Sequence, residues 1–172
     1  MDFYHGFALK DEASFFEAYV DESDFAISGF SYGAIKAFQA AQVSRKRVDK
    51  LQLFSPAFFQ NSTSKFKRLQ RMGYQKNSAH YIEKFTQNCF LPHATQVLSY
   101  TEHTLEALDE LLNYEWQASE LEALVIRGVK LEVYLGADDK ISDSQSAYDF
   151  FKPFGTVTLI KGANHFLQGE SK

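Results

Sequence analysis

Residues 24–42 read DFAISGFSYGAIKAFQAAQ, and the interpretation of the whole chain starts from this stretch. A short apolar run at 25–27 is followed by the pentapeptide GFSYG at 29–33 and then by a segment with helical spacing. The stretch therefore predicts a strand, a tight turn with a serine at its apex, and a helix. The apolar stripe that would bury one face of this helix consists of Tyr32, Ile35, Phe38 and Ala41.

The pentapeptide fits the pattern G-x-S-x-G, known as a nucleophile elbow when a strand precedes it and a helix follows. Glycines on both sides of Ser31 let the strand and the helix approach each other closely. The helix start would direct its amides and its positive dipole end toward whatever the serine attacks. A glycine-flanked surface turn has the same pattern, and the predicted strand and helix around it favour the elbow.

Composition indicates one folded domain, or one domain with a large insertion. The 172 residues are 45% hydrophobic and 16% aromatic, enough for a sizeable core. The single Cys89 excludes an internal disulfide and suits a reducing compartment. No signal peptide and no apolar run of membrane-spanning length is visible, so we expect a cytoplasmic protein without a membrane partner. No cysteine–histidine cluster has metal-ligand spacing, and we expect neither a metal, nor a cofactor, nor a nucleic-acid partner.

Strand and helix patterns alternate along both ends of the chain. Such alternation predicts a parallel sheet covered by helices. The predicted strands are 1–4, 25–28, 51–54, 129–135 and 156–160, and the predicted helices between them are 11–20, 34–43 and 142–151.

The middle of the chain has a different character, with helical spacing at 78–90 and 101–126 and no convincing strand. We therefore predict a helical cap insertion at 57–120, rich in aromatic residues, over a core formed by 1–56 and 121–172.

Three polar groups follow the ends of three predicted strands: Ser31, one of the pair Asp138 and Asp139, and His165. The carboxyl ends of parallel strands meet at one edge of a sheet, where active sites collect. A serine hydroxyl becomes a good nucleophile when a histidine takes its proton, and a carboxylate orients that histidine. The chain order serine, aspartate, histidine predicts a catalytic triad at this edge.

These motifs resemble those of the α/β-hydrolase superfamily over nearly the whole chain. The segment GADDKI at 136–141 is similar to the turn that carries the family's catalytic acid and aligns that acid with Asp139, leaving Asp138 as an ordinary turn carboxylate. GANHF at 162–166 resembles the family's final histidine turn. His5-Gly6-Phe7 resembles its oxyanion turn, which implies that the amides of Phe7 and Tyr32 bind the oxyanion.

The resemblance also implies a truncated α/β-hydrolase fold. Family members have additional strands near the N-terminus, whereas this sequence opens on the strand of the oxyanion turn. We expect about five mostly parallel strands with flanking helices, the first at an exposed edge that must be covered, charged or paired with another chain.

Within the superfamily the chain is most similar to the compact BioV-type pimeloyl-[acyl-carrier protein] methyl ester esterases, which share the early His-Gly-Phe and the GFSYG elbow. That resemblance implies hydrolysis of a methyl ester on a pimeloyl chain carried by an acidic acyl-carrier protein. A general small carboxylesterase or thioesterase, and an inactive hydrolase-like binding protein, are the alternatives. Nine basic residues and one acidic residue lie within 44–76, in a chain of net charge −4, and could receive the carrier. The candidate carrier-binding residues in the insertion are Lys65, Lys67, Arg68 and Arg71.

Overall fold

The structure is a computed structural model and describes residues 2–169. Its centre is a five-stranded sheet in which every neighbouring pair is parallel and the strands follow one another in chain order. Every crossover therefore joins adjacent strands, and the predicted parallel α/β architecture is confirmed. The strands are β1 (Asp2–Tyr4), β2 (Ala26–Phe30), β3 (Lys50–Phe54), β4 (Lys130–Gly136) and β5 (Thr156–Ile160).

The two faces of the sheet bury different sets of side chains, because successive residues of a strand point to opposite faces. On one face Ile27, Leu51 and Val133 lie beneath the helices, and on the other Phe30 and Phe54 meet a cluster of phenylalanines. Strand β2 is buried throughout, which fits its apolar sequence and its place inside a parallel sheet. The helices are α1 (Tyr32–Val43), α2 (Ser64–Lys76), α3 (Ser78–Phe90), α4 (Leu105–Asn113), α5 (Ala118–Ile126) and α6 (Ser144–Phe151).

Helix α1 carries the predicted stripe: Ile35, Phe38 and Ala41 are fully buried against the sheet, and Tyr32 is half-buried. Helices α5 and α6 cover the same face through Leu121, Leu124, Ala147 and Phe151. The opposite face is covered by a 3-10 helix at Glu12–Phe16, by the end of α3 and by the turn around Phe166.

Two predicted helices differ from the structure. The segment 11–20 forms only the 3-10 helix Glu12–Phe16, because Glu12 turns inward to a backbone amide while Phe16 packs between Phe30 and Phe54. The segment 101–126 is two helices rather than one. Trp116 lies between them, and its indole donates a hydrogen bond to the carbonyl of Ala57 at 2.9 Å.

Four helices, α2 to α5, lie between β3 and β4. Thr63, Asn77 and Thr104 cap α2, α3 and α4 by accepting hydrogen bonds from backbone amides of the first turn. The boundary predicted at residue 120 falls inside α5, and the buried leucines of α4 belong to the same core cluster as the sheet residues. Among residues 2–169, no helix has both the length and the apolarity needed to cross a bilayer.

Candidate active site

The loops that follow β2, β4 and β5 meet at the carboxyl edge of the sheet. Ser31 comes directly after β2, Asp139 lies in the turn after β4, and His165 lies in the turn after β5. The strand register places the ends of β2, β3 and β4 side by side, with Phe30 opposite Phe54 and Phe54 opposite Tyr134. Residues far apart in the chain are thereby brought to one place.

The turn at Ser31 has the strained backbone of an elbow. Ser31 has φ 53° and ψ −113°, a combination of backbone angles that residues other than glycine rarely adopt. Its amide donates to the carbonyl of Phe54 at 2.9 Å, and its carbonyl accepts from the amide of Ala57 at 3.1 Å. These two hydrogen bonds, to the end of β3 and to the loop after it, hold the turn in this conformation.

Gly33 is required by a close approach of two backbone segments. A Cβ at this position would overlap the carbonyl oxygens of Tyr4 and His5. The start of α1 can therefore pass directly against the end of β1, where the predicted oxyanion turn begins.

Ser31, His165 and Asp139 form a continuous hydrogen-bonded chain. The hydroxyl of Ser31 lies 3.0 Å from Nε2 of His165, and Nδ1 of His165 lies 2.6 Å from Oδ2 of Asp139. The side chains of His165 and Asp139 are fully buried, and Ser31 is 2% exposed. A carboxylate can only accept, so ionised Asp139 places the proton on Nδ1 and leaves Nε2 to accept from the serine.

The structure brings Asp139, rather than Asp138, to the histidine. Oδ1 of Asp139 accepts hydrogen bonds from the amides of Ile141 and Ser142 at 2.7 and 3.1 Å, which fixes its other oxygen toward His165. Asp138 contributes its backbone amide to the carbonyl of Ala163 at 2.9 Å, and this bond joins the two turns.

Asn164 and His93 anchor the histidine turn. The side chain of Asn164 accepts from the amides of Phe166 and Gln168 and donates to the carbonyl of Phe90 at 2.9 Å. His93 lies 2.8 Å from the carbonyl of Gly162. The end of α3 therefore holds the turn that carries His165, a role that the sequence did not suggest for either residue.

The turn after β1 lies against the elbow, since a Cβ on Gly33 would meet the carbonyl oxygens of Tyr4 and His5. No described residue within 2–169 accepts a hydrogen bond from the amide of Phe7 or of Tyr32. The side chain of Phe7 is buried and its ring lies edge-on to that of Tyr32. Two amide donors therefore remain available, as the predicted oxyanion hole requires.

Glu12, for which the sequence predicts no role, anchors this turn. Its carboxylate is completely buried, accepts from the amide of Gly6 at 2.6 Å and lies 3.1 Å from Nδ1 of His5. A Cβ at Gly6 would lie only 2.7 Å from the ring of Phe30, so the turn is packed tightly against β2. Sequence alone offered one signal, an acidic residue inside an apolar pattern.

Helix α4 is tied to the elbow by a polar cluster. Glu110 accepts from the hydroxyl of Tyr32 at 2.5 Å and from Nζ of Lys36 at 2.6 Å. Burial raises the pKa of the Glu110 carboxyl, but the hydrogen bonds from Lys36 and Tyr32 outweigh it and leave that pKa below its ordinary value.

The predicted carrier-binding residues lie on α2. Lys65 and Arg68 are exposed, and neither they nor Lys67 form an ion pair with another described residue. Arg71 differs, because its guanidinium contacts Asp109 of α4 at 3.1 Å. Three of the four cations are therefore available to an outside partner.

Neither metal nor thiol chemistry is suggested by the described residues. Within 2–169, no group of three or more His, Cys, Asp or Glu side chains is arranged to hold a metal ion. Cys89 is fully buried, and burial raises the pKa of its thiol well above the ordinary value, which disfavours the reactive thiolate.

No protein-family model and no curated protein sequence matches the chain. Solved structures do match. A carboxylesterase from the thaumarchaeon Nitrososphaera gargenis is 17% identical over 82% of this chain and 57% of its own, with a TM-score of 0.58. A hydrolase from Oleispira antarctica is 12% identical over 85% of this chain and 57% of its own, with a TM-score of 0.62.

BioG from Haemophilus influenzae is 12% identical over 96% of this chain and 87% of its own, with a TM-score of 0.60. The chain thus spans little more than half the length of the Nitrososphaera and Oleispira proteins but most of the length of BioG. At this identity the likeness concerns the fold, and the chain has the α/β-hydrolase fold in a compact version with five parallel strands.

Proposed function

We propose that the protein is a serine carboxylesterase. The observation that carries the proposal is the buried relay from Ser31 through His165 to Asp139, with contacts of 3.0 and 2.6 Å. Support also comes from the fold, since the solved structures that share it include carboxylesterases. In this account Ser31 is the nucleophile, His165 the general base and acid, and Asp139 the residue that orients the imidazole.

Acylation begins when Nε2 of His165 takes the proton of Ser31 and the serine oxygen attacks the ester carbonyl. The carbonyl oxygen gains negative charge, which the amides of Phe7 and Tyr32 stabilise. Losing one such donor typically costs about 3 kcal/mol of transition-state stabilisation. The bond from carbonyl carbon to alkoxy oxygen then breaks, and His165 returns the proton to the departing alcohol.

Deacylation repeats the sequence with water. His165 takes a proton from a water molecule, whose oxygen attacks the acyl-enzyme. The bond to Ser31 breaks, the proton returns to its oxygen, and a carboxylic acid leaves. The net reaction is ester plus water to acid plus alcohol.

For the substrate we infer the methyl ester of a pimeloyl chain carried by acyl-carrier protein, in biotin precursor synthesis. The inference rests on the resemblance to BioV-type esterases and on Lys65, Lys67 and Arg68 along α2, which form no ion pair within residues 2–169 and suit an acidic carrier. The structural likeness to BioG, over 96% of this chain and 87% of that one, also supports the inference.

The test compares rates for methyl pimeloyl ester on the carrier protein and for monomethyl pimelate in solution. We expect a large preference for the carried ester that falls with added salt, because screening weakens exposed charge pairs. Arg68→Glu should lower kcat/KM for the carried ester about tenfold and spare the dissolved ester.

A matched control is Lys130→Glu, which makes the same charge change at an exposed residue outside the basic segment 44–76. It should reduce the preference much less than Arg68→Glu. Equal rates for carried and dissolved esters would contradict the carrier-protein substrate and indicate a general carboxylesterase or thioesterase.

A further inference from the structure

A pocket of about 230 Å³ lies between α2, α3, α4 and the loop that carries Asp139. Most of its wall is apolar, and the side chains that form it include Phe59, Phe66, Phe85, Leu108, Leu111 and Ile141. Such a wall favours an aliphatic chain, because transfer of each methylene from water to an apolar pocket is favourable.

The pocket adjoins the catalytic residues on two sides. The amide of Ile141 donates to Oδ1 of Asp139 at 2.7 Å. The ring of Phe85 lies edge-on to that of Phe7, with the centroids 6.4 Å apart. Ser31 is 2% exposed and does not line the pocket, so an ester that extends from it must displace the intervening side chains to reach the hydroxyl.

Two cations line this apolar pocket. Lys84 belongs to α3 and Lys140 follows Asp139, both are exposed, and neither forms an ion pair with a described residue. Gln70 lies in the same wall and accepts from the hydroxyl of Tyr81 at 2.9 Å, which leaves its amide nitrogen available to donate. The polar part of the wall thus consists chiefly of donors, in a protein whose net charge is −4.

We propose that this pocket binds the acyl chain of the substrate and that Lys84 and Lys140, which line it, hold an anionic group of the same substrate. The proposal rests on the esterase function proposed above and specifies its substrate class: esters that carry a second, negatively charged group. That group is either the carboxylate of a dicarboxylic monoester or the phosphate of a carrier's prosthetic arm. Both present anionic oxygens that an ammonium group can bind.

Two matched pairs of esters show whether the bound anion is the carboxylate or the phosphate. Methyl heptanoate and monomethyl pimelate differ only by the terminal carboxylate. Methyl pimeloyl pantetheine and its phosphopantetheine counterpart differ only by the phosphate. For each pair the measured quantity is the preference, the ratio of kcat/KM for the anionic ester to that for its neutral match.

The double variant Lys84→Gln/Lys140→Gln should lower the preference about tenfold in at least one pair, as loss of two exposed ion pairs would. Loss in the first pair assigns the lysines to a chain-end carboxylate, and loss in the second assigns them to the phosphate. The control Lys130→Gln/Lys161→Gln removes two exposed lysines outside the pocket and outside the basic segment 44–76, and should leave both ratios as they are.

An unchanged preference in both pairs, with esters still turned over, would overturn the proposal. Failure of the wild-type protein to hydrolyse any of the four esters would instead contradict the esterase function itself, so the two failures are distinguishable.

Discussion

At the scale of single residues, Asp138 and Asp139 are adjacent in the chain but have different surroundings. Asp139 receives two backbone amides on one oxygen and His165 on the other. Asp138 uses its backbone amide to join the acid turn to the histidine turn. Of the two side chains, only that of Asp139 can orient the imidazole.

Asp139→Asn should therefore lower kcat by about 10⁴-fold, since an amide favours the wrong histidine tautomer. Asp138→Asn serves as the matched control and should have a mild effect. Steady-state hydrolysis of a methyl ester by the two variants checks this, and the reverse ranking would reassign the acid.

Glu12 provides a second residue-scale prediction. Glu12→Ala leaves the buried amide of Gly6 without an acceptor, which costs about 1–3 kcal/mol of stability and loosens the turn that presents Phe7. We expect kcat to fall about tenfold or more with a smaller change in KM, because the oxyanion forms only in the transition state.

Glu12→Gln keeps an acceptor for Gly6 and should recover most of the lost kcat. Kinetics well below the melting temperature, with thermal unfolding recorded in parallel, separate positioning from stability. If the alanine variant keeps the wild-type kcat, Glu12 has no positioning role.

The sequence placed Ser31 and His165 at the sheet edge because each occupies a recognisable turn after a strand. It could not separate Asp138 from Asp139 by residue type, since the difference lies in which carboxylate the turn's amides bind. Glu12 went unnoticed because its main partner is a backbone amide, and backbone partners leave no side-chain pattern in a sequence.

At the scale of elements, the polar cluster around Glu110 joins α4 to the helix that begins at the nucleophile. The amide of Tyr32 is one of the two donors in the proposed oxyanion hole, and the side chain of Tyr32 donates a hydrogen bond to Glu110 of α4. Lys36, one turn further along α1, contacts the same carboxylate. The covering helices and the elbow are therefore linked by charge as well as by packing.

The pKa of Glu110 in the folded protein lies below the ordinary 4.5, so its ionised form stabilises the fold above that pH. The contribution is lost as the pH falls through the folded-state pKa. We expect Glu110→Gln to lower the free energy of unfolding at pH 7 by about 0.2–1 kcal/mol, since the pair is about one-third exposed.

Denaturant titrations of the wild type and Glu110→Gln at several pH values check this prediction, with the exposed Glu122→Gln as control. The difference between wild type and variant should shrink below pH 4.5. A difference that stays constant or grows on acidification would contradict the proposed role of the charge.

Element boundaries were predicted well where local signals were strong. Helix α3 matches the predicted 78–90, and β5 matches 156–160. The failures at 11–20 and 101–126 have tertiary causes: the inward turn of Glu12, and the indole of Trp116 that binds Ala57. Helical spacing cannot report a hydrogen bond to a distant part of the chain.

At the scale of the whole molecule, the basic segment 44–76 is partly neutralised by the segment 101–126, which has seven acidic residues and no lysine or arginine. Arg71 contacts Asp109 across the covering helices, whereas Lys65, Lys67 and Arg68 have no ion-pair partner among residues 2–169. The sequence predicted the charge segregation but could not show which cations were already paired.

Strand β1 lies at the sheet edge, as expected, and no described strand pairs with its outer side.

The central claim is that the hydroxyl of Ser31 is an activated nucleophile. Intact-protein mass spectrometry after treatment with a fluorophosphonate probe tests it most directly. We expect the wild-type protein to gain one adduct that maps to Ser31, His165→Ala to react orders of magnitude more slowly, and folded Ser31→Ala to gain none. A folded wild-type protein that stays unlabelled, or labelling that persists in Ser31→Ala, would contradict the account.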